Sequence, residues 1–449
     1  MSLAETKTTA WLPQLSRSVW IAAFVIAAAF FLSEHNVLLS QAIDFTEDQD
    51  QMLATAEGGN FFRRIAFFSL AALGVGFFVT QAGFSFRPTL LAGLIAASIA
   101  LAFMSILWAQ DPSLCLRRLL VLALALIGAI GIARRLSLEE LCHAAFYASL
   151  ACVLIGVLCE VTLGTFRPWS GEYRFSGTVH PNTQGAYLAT VCFSALCLSM
   201  TDAPRRKQYW SVLAVAVILL VLTKSRTSTA GVMVVLGLVT MILSSPKTRL
   251  LVPALCVWLG LSGLLVLLLS GANADVILAK IAFLGREEGT ESFSGRTTIW
   301  PVVQQFIDRR FWLGYGFESF WTPAVIEEVT RDCEWPVREA HSTYREQLLS
   351  LGFVGLMLLG SVAVVGLVAA LLDFHRRRDP SALFWFALVL NGLFNGMFES
   401  GMAMISLPTF VIALGLIRLA YFHRCAPVRY KCEPWQPRSD TLVPWGATT

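Results

Sequence analysis

Thr89-Leu-Leu-Ala-Gly-Leu-Ile-Ala-Ala-Ser-Ile-Ala-Leu-Ala-Phe-Met-Ser-Ile-Leu-Trp108 is a run without a single charged side chain. A helix rises about 1.5 Å per residue, so about twenty such residues cross a hydrocarbon core roughly 30 Å thick. Arg87 stands before the run, and Asp111-Pro112 follows it. Runs of the same kind recur outward in both directions, near 19–39, 65–82, 119–133, 141–163, 183–201, 209–223, 228–244, 250–271, 346–372, 381–399 and 402–422. Hydrophobic residues make up 56% of the chain and charged ones 14%, and the mean hydropathy is +0.65. A soluble chain of 449 residues needs more charge than that to stay in solution. The formal net charge of +4 comes with no basic low-complexity tract, so nucleic acid is not an expected partner. The first run, from Val19, follows Lys7 and Arg17 and has the outline of a signal peptide. With so many spans after it and no clear cleavage site, an uncleaved first helix is expected.

The connections alternate in charge. Arg87, Arg134-Arg135, Arg205-Arg206-Lys207, Lys247 with Arg249, Arg376-Arg377-Arg378, and a tail with Arg424, Arg429 and Lys431 fall on one side. The positive-inside rule puts that side, and both termini, in the cytoplasm. The expected fold is all-α: a polytopic transmembrane helical bundle of about 12 helices, with a large helical periplasmic insertion between the ninth and tenth spans. The chain then divides into 1–271 (helices 1–9), 272–345 (periplasmic loop with short helices), 346–422 (helices 10–12) and 423–449 (cytoplasmic tail).

The other set of connections carries arginine against the usual bias: Arg63, Arg64, Arg117, Arg118, Arg167, Arg174, Arg226, Arg286, Arg296, Arg338 and Arg345. Anionic headgroups or an anionic substrate would use that charge. Solvated loop charge balanced by nearby acids accounts for part of it, and Arg117, Arg118 and the Arg309-Arg310 pair suit lipid headgroups. Glu160 and Glu399 lie near external span ends, where snorkelling to water is the default. Cys142, Cys152, Cys159, Cys192, Cys197 and Cys256 lie inside apolar runs as packing residues. Cys425 and Cys432 are too isolated for a zinc site. No metal spacing appears, and no cofactor is implied.

The insertion is too long for a structureless connector. Thr297 to Arg310 places Ile299, Val302, Val303, Phe306 and Ile307 on one helix face. The aromatic group Trp312, Tyr315, Phe317, Phe320 and Trp321 suits the membrane boundary or stacking on sugars.

Four external stretches can carry chemistry: Arg174 to Asn182, Lys224-Ser-Arg226-Thr-Ser228, Ser294-Gly-Arg296-Thr-Thr-Ile-Trp300, and Ala340-His341-Ser-Thr-Tyr-Arg345. Each lies where a helix begins. Asn182 or Thr183, Thr227 or Ser228, and Thr297 or Thr298 are the expected caps, with Pro301 in a first turn. Thr343-Tyr-Arg-Glu346 has capping-box spacing. Free N–H groups and positive dipole character beside an arginine fork are what a diphosphate needs, so Arg174, Arg226, Arg296 and Arg345 are the candidate substrate-binding residues. His341, near a positive helix end, stays neutral and can accept a proton, which makes it the candidate catalytic base. The bland alternatives stand beside these: a loop histidine often only holds structure, and His180 reads as a loop hydrogen-bonder.

These stretches, in this order and topology, resemble the O-antigen ligase/polymerase family of bacterial membrane glycosyltransferases. Gly295-Arg296 through Trp300, Gly314-Tyr-Gly316, His341 and Gly352 with Gly355 look like its ligase domain. Trp108-Ala-Gln-Asp-Pro112 through Arg118 and Arg174 to Asn182 are similar upstream, so the likeness runs from about 100 to 410. The family usually shows His-Asn where this chain has His341-Ser342. The resemblance implies an undecaprenyl-diphosphate-linked glycan donor, a glycan or lipid acceptor, and surrounding membrane lipids as partners. By position, Arg226 and Arg296 match arginines for the donor diphosphate, and His341 matches the base. It implies a metal-independent, inverting transfer, with polymerisation of an exopolysaccharide or O-antigen favoured over ligation to lipid A core. Transfer to protein hydroxyls is a third member of the class. A multi-span transporter or lipid-linked glycan flippase is the alternative; it would place charges deep within spans and show internal pseudo-symmetry, and neither is visible. A structural subunit of an export complex would leave His341 unexplained.

Overall fold

The computed structural model describes residues 15–35, 61–80, 89–171, 173–244, 296–333 and 337–422. The expected ninth span, Arg286, the first part of the insertion and the 423–449 tail lie outside the described residues. The described chain is all-helical, as expected. Its α-helices are α1 Arg17–Glu34, α2 Phe61–Thr80, α3 Leu90–Met104, α4 Pro112–Arg135, α5 Leu138–Thr162, α6 Pro181–Thr201, α7 Arg206–Leu222, α8 Arg226–Leu243, α9 Arg296–Arg309, α10 Pro323–Cys333, α11 Thr343–Arg377, α12 Ser381–Asn395 and α13 Leu407–Tyr421. Each expected span that falls on described residues coincides with one of them. Among the described residues, 8 helices are long and apolar enough to cross a membrane, while α12 and α13 are apolar but shorter. Phe24, Phe68, Val79 and Leu90 are exposed apolar side chains on these helices. An apolar surface of this kind fits lipid and would be a liability in water. The protein is a multi-pass membrane protein.

Helix α6 is buried along most of its length and packs against α5, α7, α8 and α12. Tyr187, Leu188, Val191 and Phe193 fill the core around it. Helices α2 and α4 run parallel in close contact, since Gly74 faces Gly131 and Leu70 faces Gly128. Small residues let the backbones approach. At the far end of α4, Arg418 donates to Ala133 O and Arg134 O at 3.1 and 3.2 Å, satisfying late carbonyls that the helix cannot.

Two helices, α2 and α4, begin a full turn or more before the spans that hydropathy predicts. Asp111 caps α4, its Oδ1 accepting from Ser113 N and Leu114 N at 2.9 and 3.0 Å, with Pro112 as first residue. Arg117 and Arg118 are therefore helical. Arg63 and Arg64 likewise belong to the opening turn of α2. A window that rewards apolar side chains cannot see a charged first turn.

The caps also differ from expectation. His180, not Asn182, caps α6, accepting from Asn182 N at 3.3 Å, with Pro181 opening the helix. Ser225 precedes α8 and bonds Ser228 Oγ at 3.0 Å. Pro301 lies in the second turn of α9, where its ring removes a helix hydrogen bond. Ser342 precedes α11. Glu346 closes no capping box there; it accepts from Ala340 N and from Trp321 Nε1.

The insertion builds a small core of its own from Ile299, Val303, Phe306 and Ile307 of α9, Val325 and Val329 of α10, and Tyr315 and Phe320. Two of the aromatic group are thus packing residues, while Trp312 is exposed. This core docks on a break in α11. Gly352 has φ 65°, a left-handed conformation open to glycine, and a Cβ there would strike the Trp312 backbone. The peptide groups released by the break bind the 311–316 segment: Tyr315 N donates to Leu349 O at 2.8 Å, Gly316 N to Ser350 O at 2.9 Å, and Phe353 N to Phe311 O at 2.8 Å. The Trp108–Pro112 stretch holds the same segment, through Trp108 Nε1 to Leu313 O at 2.9 Å and Gln110 N to Tyr315 O at 2.8 Å. Gly352→Ala is expected to cost about 1–3 kcal/mol through backbone strain and displaced docking. A lowered thermal midpoint of the detergent-solubilised variant checks it; an unchanged midpoint contradicts it.

Candidate active site

Three distant segments meet at the turn between α12 and α13. The first residue of α11 is tied there: Thr343 N donates to Gly396 O and Glu399 O at 2.9 and 3.0 Å, and its Oγ1 to Glu399 O at 2.9 Å. The first residue of α9 is tied there too. Arg296 Nε donates to Phe398 O at 3.0 Å, and an Nη donates to Glu399 Oε1 at 2.8 Å. Asn182 of α6 is the third, giving Nδ2 to the same Glu399 oxygen at 2.9 Å. Arg174 then donates to Asn182 Oδ1 at 3.3 Å and to Thr223 O at 3.1 Å. Arg174 and Arg296 are thereby gathered on one carboxylate, with Asn182 as the bridge.

Neither Glu160 nor Glu399 snorkels. Glu160 is 1% exposed and accepts from Tyr173 Oη, Ser176 N and Gly177 N at 2.5, 2.9 and 2.6 Å. It thereby folds the loop that carries Arg174. Burial pushes the Glu399 carboxyl up to about 7; Arg296 and Arg174 oppose the shift, and Glu339 adds to it.

His341 sits just ahead of α11 with φ 48°, unusual for a residue other than glycine. Its Nδ1 lies 3.2 Å from Glu339 Oε1. Burial holds the imidazole below its ordinary range; Arg296 and Arg338 push the same way, and Glu339 opposes them. A neutral ring that gives Nδ1–H to Glu339 keeps the Nε2 lone pair for a proton. The spacing of a helix start and an arginine pointed to His341. The carboxylate that selects its tautomer was not apparent from sequence, although it stands two residues away.

His341, Glu339 and Arg338 line a cavity of about 1500 Å³ together with Asn182, Glu399, His35, Glu318 and Trp321. Apolar side chains including Leu388, Ile405, Pro408 and Ile412 line it further. Arg63, Arg64, Arg117 and Arg118 are also on its wall, although sequence reading assigned the last two to headgroups. Arg226 opens α8, half-buried; it is not on the cavity wall, though Ser228 is. Arg345 lies over the Trp300 ring at 4.2 Å, and Trp300 Nε1 donates to Ala340 O at 3.0 Å. It thus braces the strand-like turn before α11 and is not part of the wall. Among the described residues, no group of three or more His, Cys, Asp or Glu side chains could hold a metal ion.

The described helices surround a cavity whose wall joins a neutral histidine, arginines and apolar side chains. The family model described as O-antigen ligase matches residues 210–360, from α7 to the middle of α11, which supports a likeness to the O-antigen ligase/polymerase family. No curated protein matches it. The family implies a glycosyltransferase-like enzyme with a lipid-linked glycan donor and a glycan or lipid acceptor.

Proposed function

We propose that the protein transfers or polymerises glycan from an undecaprenyl-diphosphate carrier onto an acceptor hydroxyl at the periplasmic face of the inner membrane. Polymerisation of an exopolysaccharide or O-antigen is favoured over ligation to lipid A core. The observation that carries this reading is the Glu339–His341 pair, 3.2 Å apart, on the wall of a cavity that also holds Arg338, Asn182 and Glu399; Arg174 and Arg296 lie behind that wall, bonded to Asn182 and Glu399.

In the reaction the acceptor oxygen attacks the anomeric carbon, and the bond from that carbon to the diphosphate oxygen breaks. The electron pair leaves with undecaprenyl diphosphate, the hydroxyl proton passes to His341 Nε2, and the anomeric centre inverts. Glu339 stabilises the imidazolium that forms. Arginine supplies positive charge where the leaving group gains negative charge, so the scheme calls on no metal. Arg296 and Arg174 are the proposed donor contacts, with a phosphate oxygen replacing the Glu399 carboxylate as their partner. Arg226, two residues from cavity-lining Ser228, is a further contact. Arg345 acts on the site through the Trp300 brace.

Purified protein in lipid vesicles, given undecaprenyl-diphosphate oligosaccharide, should release undecaprenyl diphosphate and lengthen the glycan. Movement of the glycan to a second lipid core would assign a ligase instead. Donor left intact while glycan crosses the bilayer would replace this reading with a flippase.

A further inference from the structure

Glu339 and His341 have one residue between them, so the orientation of two planar peptide groups decides whether the carboxylate reaches the ring. Both groups are held from outside the turn. The peptide that joins Glu339 to Ala340 donates its N–H to the Glu346 carboxylate. The carbonyl of the peptide that joins Ala340 to His341 accepts from Trp300 Nε1 at 3.0 Å. Beyond His341 the chain is tied again, Ser342 Oγ donating to Gly396 O at 3.4 Å and Thr343 N to the same oxygen at 2.9 Å. His341 has φ 48°, and such a conformation in a residue other than glycine persists where its surroundings over-determine it. These bonds are those surroundings.

Glu346 also holds a second donor. Trp321 Nε1 lies 3.2 and 3.0 Å from its two oxygens, and Trp321 packs against the core of the insertion. The Glu346 side chain is buried and lies within electrostatic reach of Glu339 and Glu318. Carboxylates gathered in this way repel one another, which works against stability. The two donors account for the choice of residue. A carboxylate offers lone pairs on both oxygens, whereas an amide offers one oxygen and an NH₂ group that only donates.

We infer that Glu346 is a positioning residue for the transfer reaction. By fixing the Glu339–Ala340 peptide it keeps the Glu339 carboxylate on His341 Nδ1, and through Trp321 it ties that geometry to the insertion. The inference rests on the transfer reading above and adds to it a residue that acts through the Glu339–His341 pair.

Glu346→Gln leaves one acceptor for two donors, so the amide NH₂ faces either Ala340 N–H or Trp321 Nε1–H. In the double variant E346Q/W321F the indole donor is gone, and the single oxygen is left to Ala340 N. Nitrogen NMR of the full-length chain in lipid, with isotope-labelled histidine, reads which ring nitrogen of His341 carries the proton. The chain has 6 histidines, and the His341 signal is the one lost in His341→Gln. Wild type should show the proton on Nδ1, Glu346→Gln a mixture of both tautomers, and the double variant a return to Nδ1. In vesicles, kcat of Glu346→Gln should fall by about 10²-fold, the effect of a misplacement of about 1 Å. Its donor KM should stay within about twofold of wild type, as for loss of an interaction made only in the transition state. The double variant should regain most of the lost rate. A residue that only stabilised the fold would leave the tautomer of the folded protein unchanged, and the double variant would be worse than either single one. An unchanged tautomer in Glu346→Gln, or a double variant slower than Glu346→Gln, would overturn the inference. A mixed tautomer in Glu346→Gln beside a wild type that transfers no glycan would uphold the hold on the pair and remove the transfer reading, so the two fail separately.

Discussion

Arg296→Ala is expected to cost about 3–5 kcal/mol of stability at pH 8, the range for removing one partner of a buried ion pair. The magnitude follows from position: Arg296 is 8% exposed, and its loss leaves Glu399 charged among buried groups, with Asn182 as the remaining side-chain partner on that oxygen. The pH dependence has a definite sign. Burial already raises the Glu399 carboxyl to about 7, against an ordinary value near 4.5, and Arg296 works to lower it. Between those values the folded state holds a proton that the unfolded state has lost, so stability falls as pH rises through the window. Without Arg296 the folded value climbs further, the window widens upward, and the variant loses more at pH 8 than at pH 5. The double variant R296M/E399M should recover much of the loss, since an apolar pair leaves no stranded charge. Thermal midpoints of the three proteins at both pH values decide it. Equal destabilisation at pH 5 and pH 8 would show that the ion pair is not what holds α9 to the α12–α13 turn.

Glu339→Gln is expected to lower kcat/KM by about 10²–10⁴-fold while donor binding persists. The carboxylate does two things for His341: it fixes the proton on Nδ1, and it stabilises the imidazolium formed when Nε2 accepts the hydroxyl proton. An amide keeps the shape and loses both. The acid limb of the pH profile should move as well. His341 must be neutral to act, and it is already held below its ordinary range by burial and by Arg296 and Arg338, with Glu339 opposing. Removing the Glu339 charge removes the opposing effect, so the limb shifts to lower pH even as the plateau drops. Because kcat/KM reports the free enzyme, bound diphosphate does not distort the comparison. A limb that moves up, or a plateau within threefold of wild type, would exclude the pair as base and orienter.

The fold was largely written in apolar runs, and their length sufficed to place α1 to α8 and α11 to α13. Sequence was weakest where chemistry begins. Hydropathy stopped short of Arg63, Arg64, Arg117 and Arg118 because charge ends an apolar window, whereas the Asp111 cap continues the helix through it. Arg296 and His341 were visible as polar residues at helix starts. Glu399 was not, because its partners Arg296 and Asn182 lie 103 and 217 residues away. Nothing in local spacing encodes a contact of that range, and a glutamate at a span end looks like one bound for water. Arg345 opens α11 as its place in a helix start implied, and its side chain lies over the Trp300 ring, a contact 45 residues away that local spacing does not show. Helix α10 went unread because an amphipathic 11-residue segment in a polar insertion resembles loop.

The reading as a whole depends on His341 removing the acceptor proton inside the cavity. The most direct measurement compares release of undecaprenyl diphosphate by wild type and His341→Ala in identical vesicles, with bound donor quantified in parallel. Wild type should release it in step with new glycan, and the variant should hold the donor and release essentially none. Release by His341→Ala at the wild-type rate would contradict the assignment.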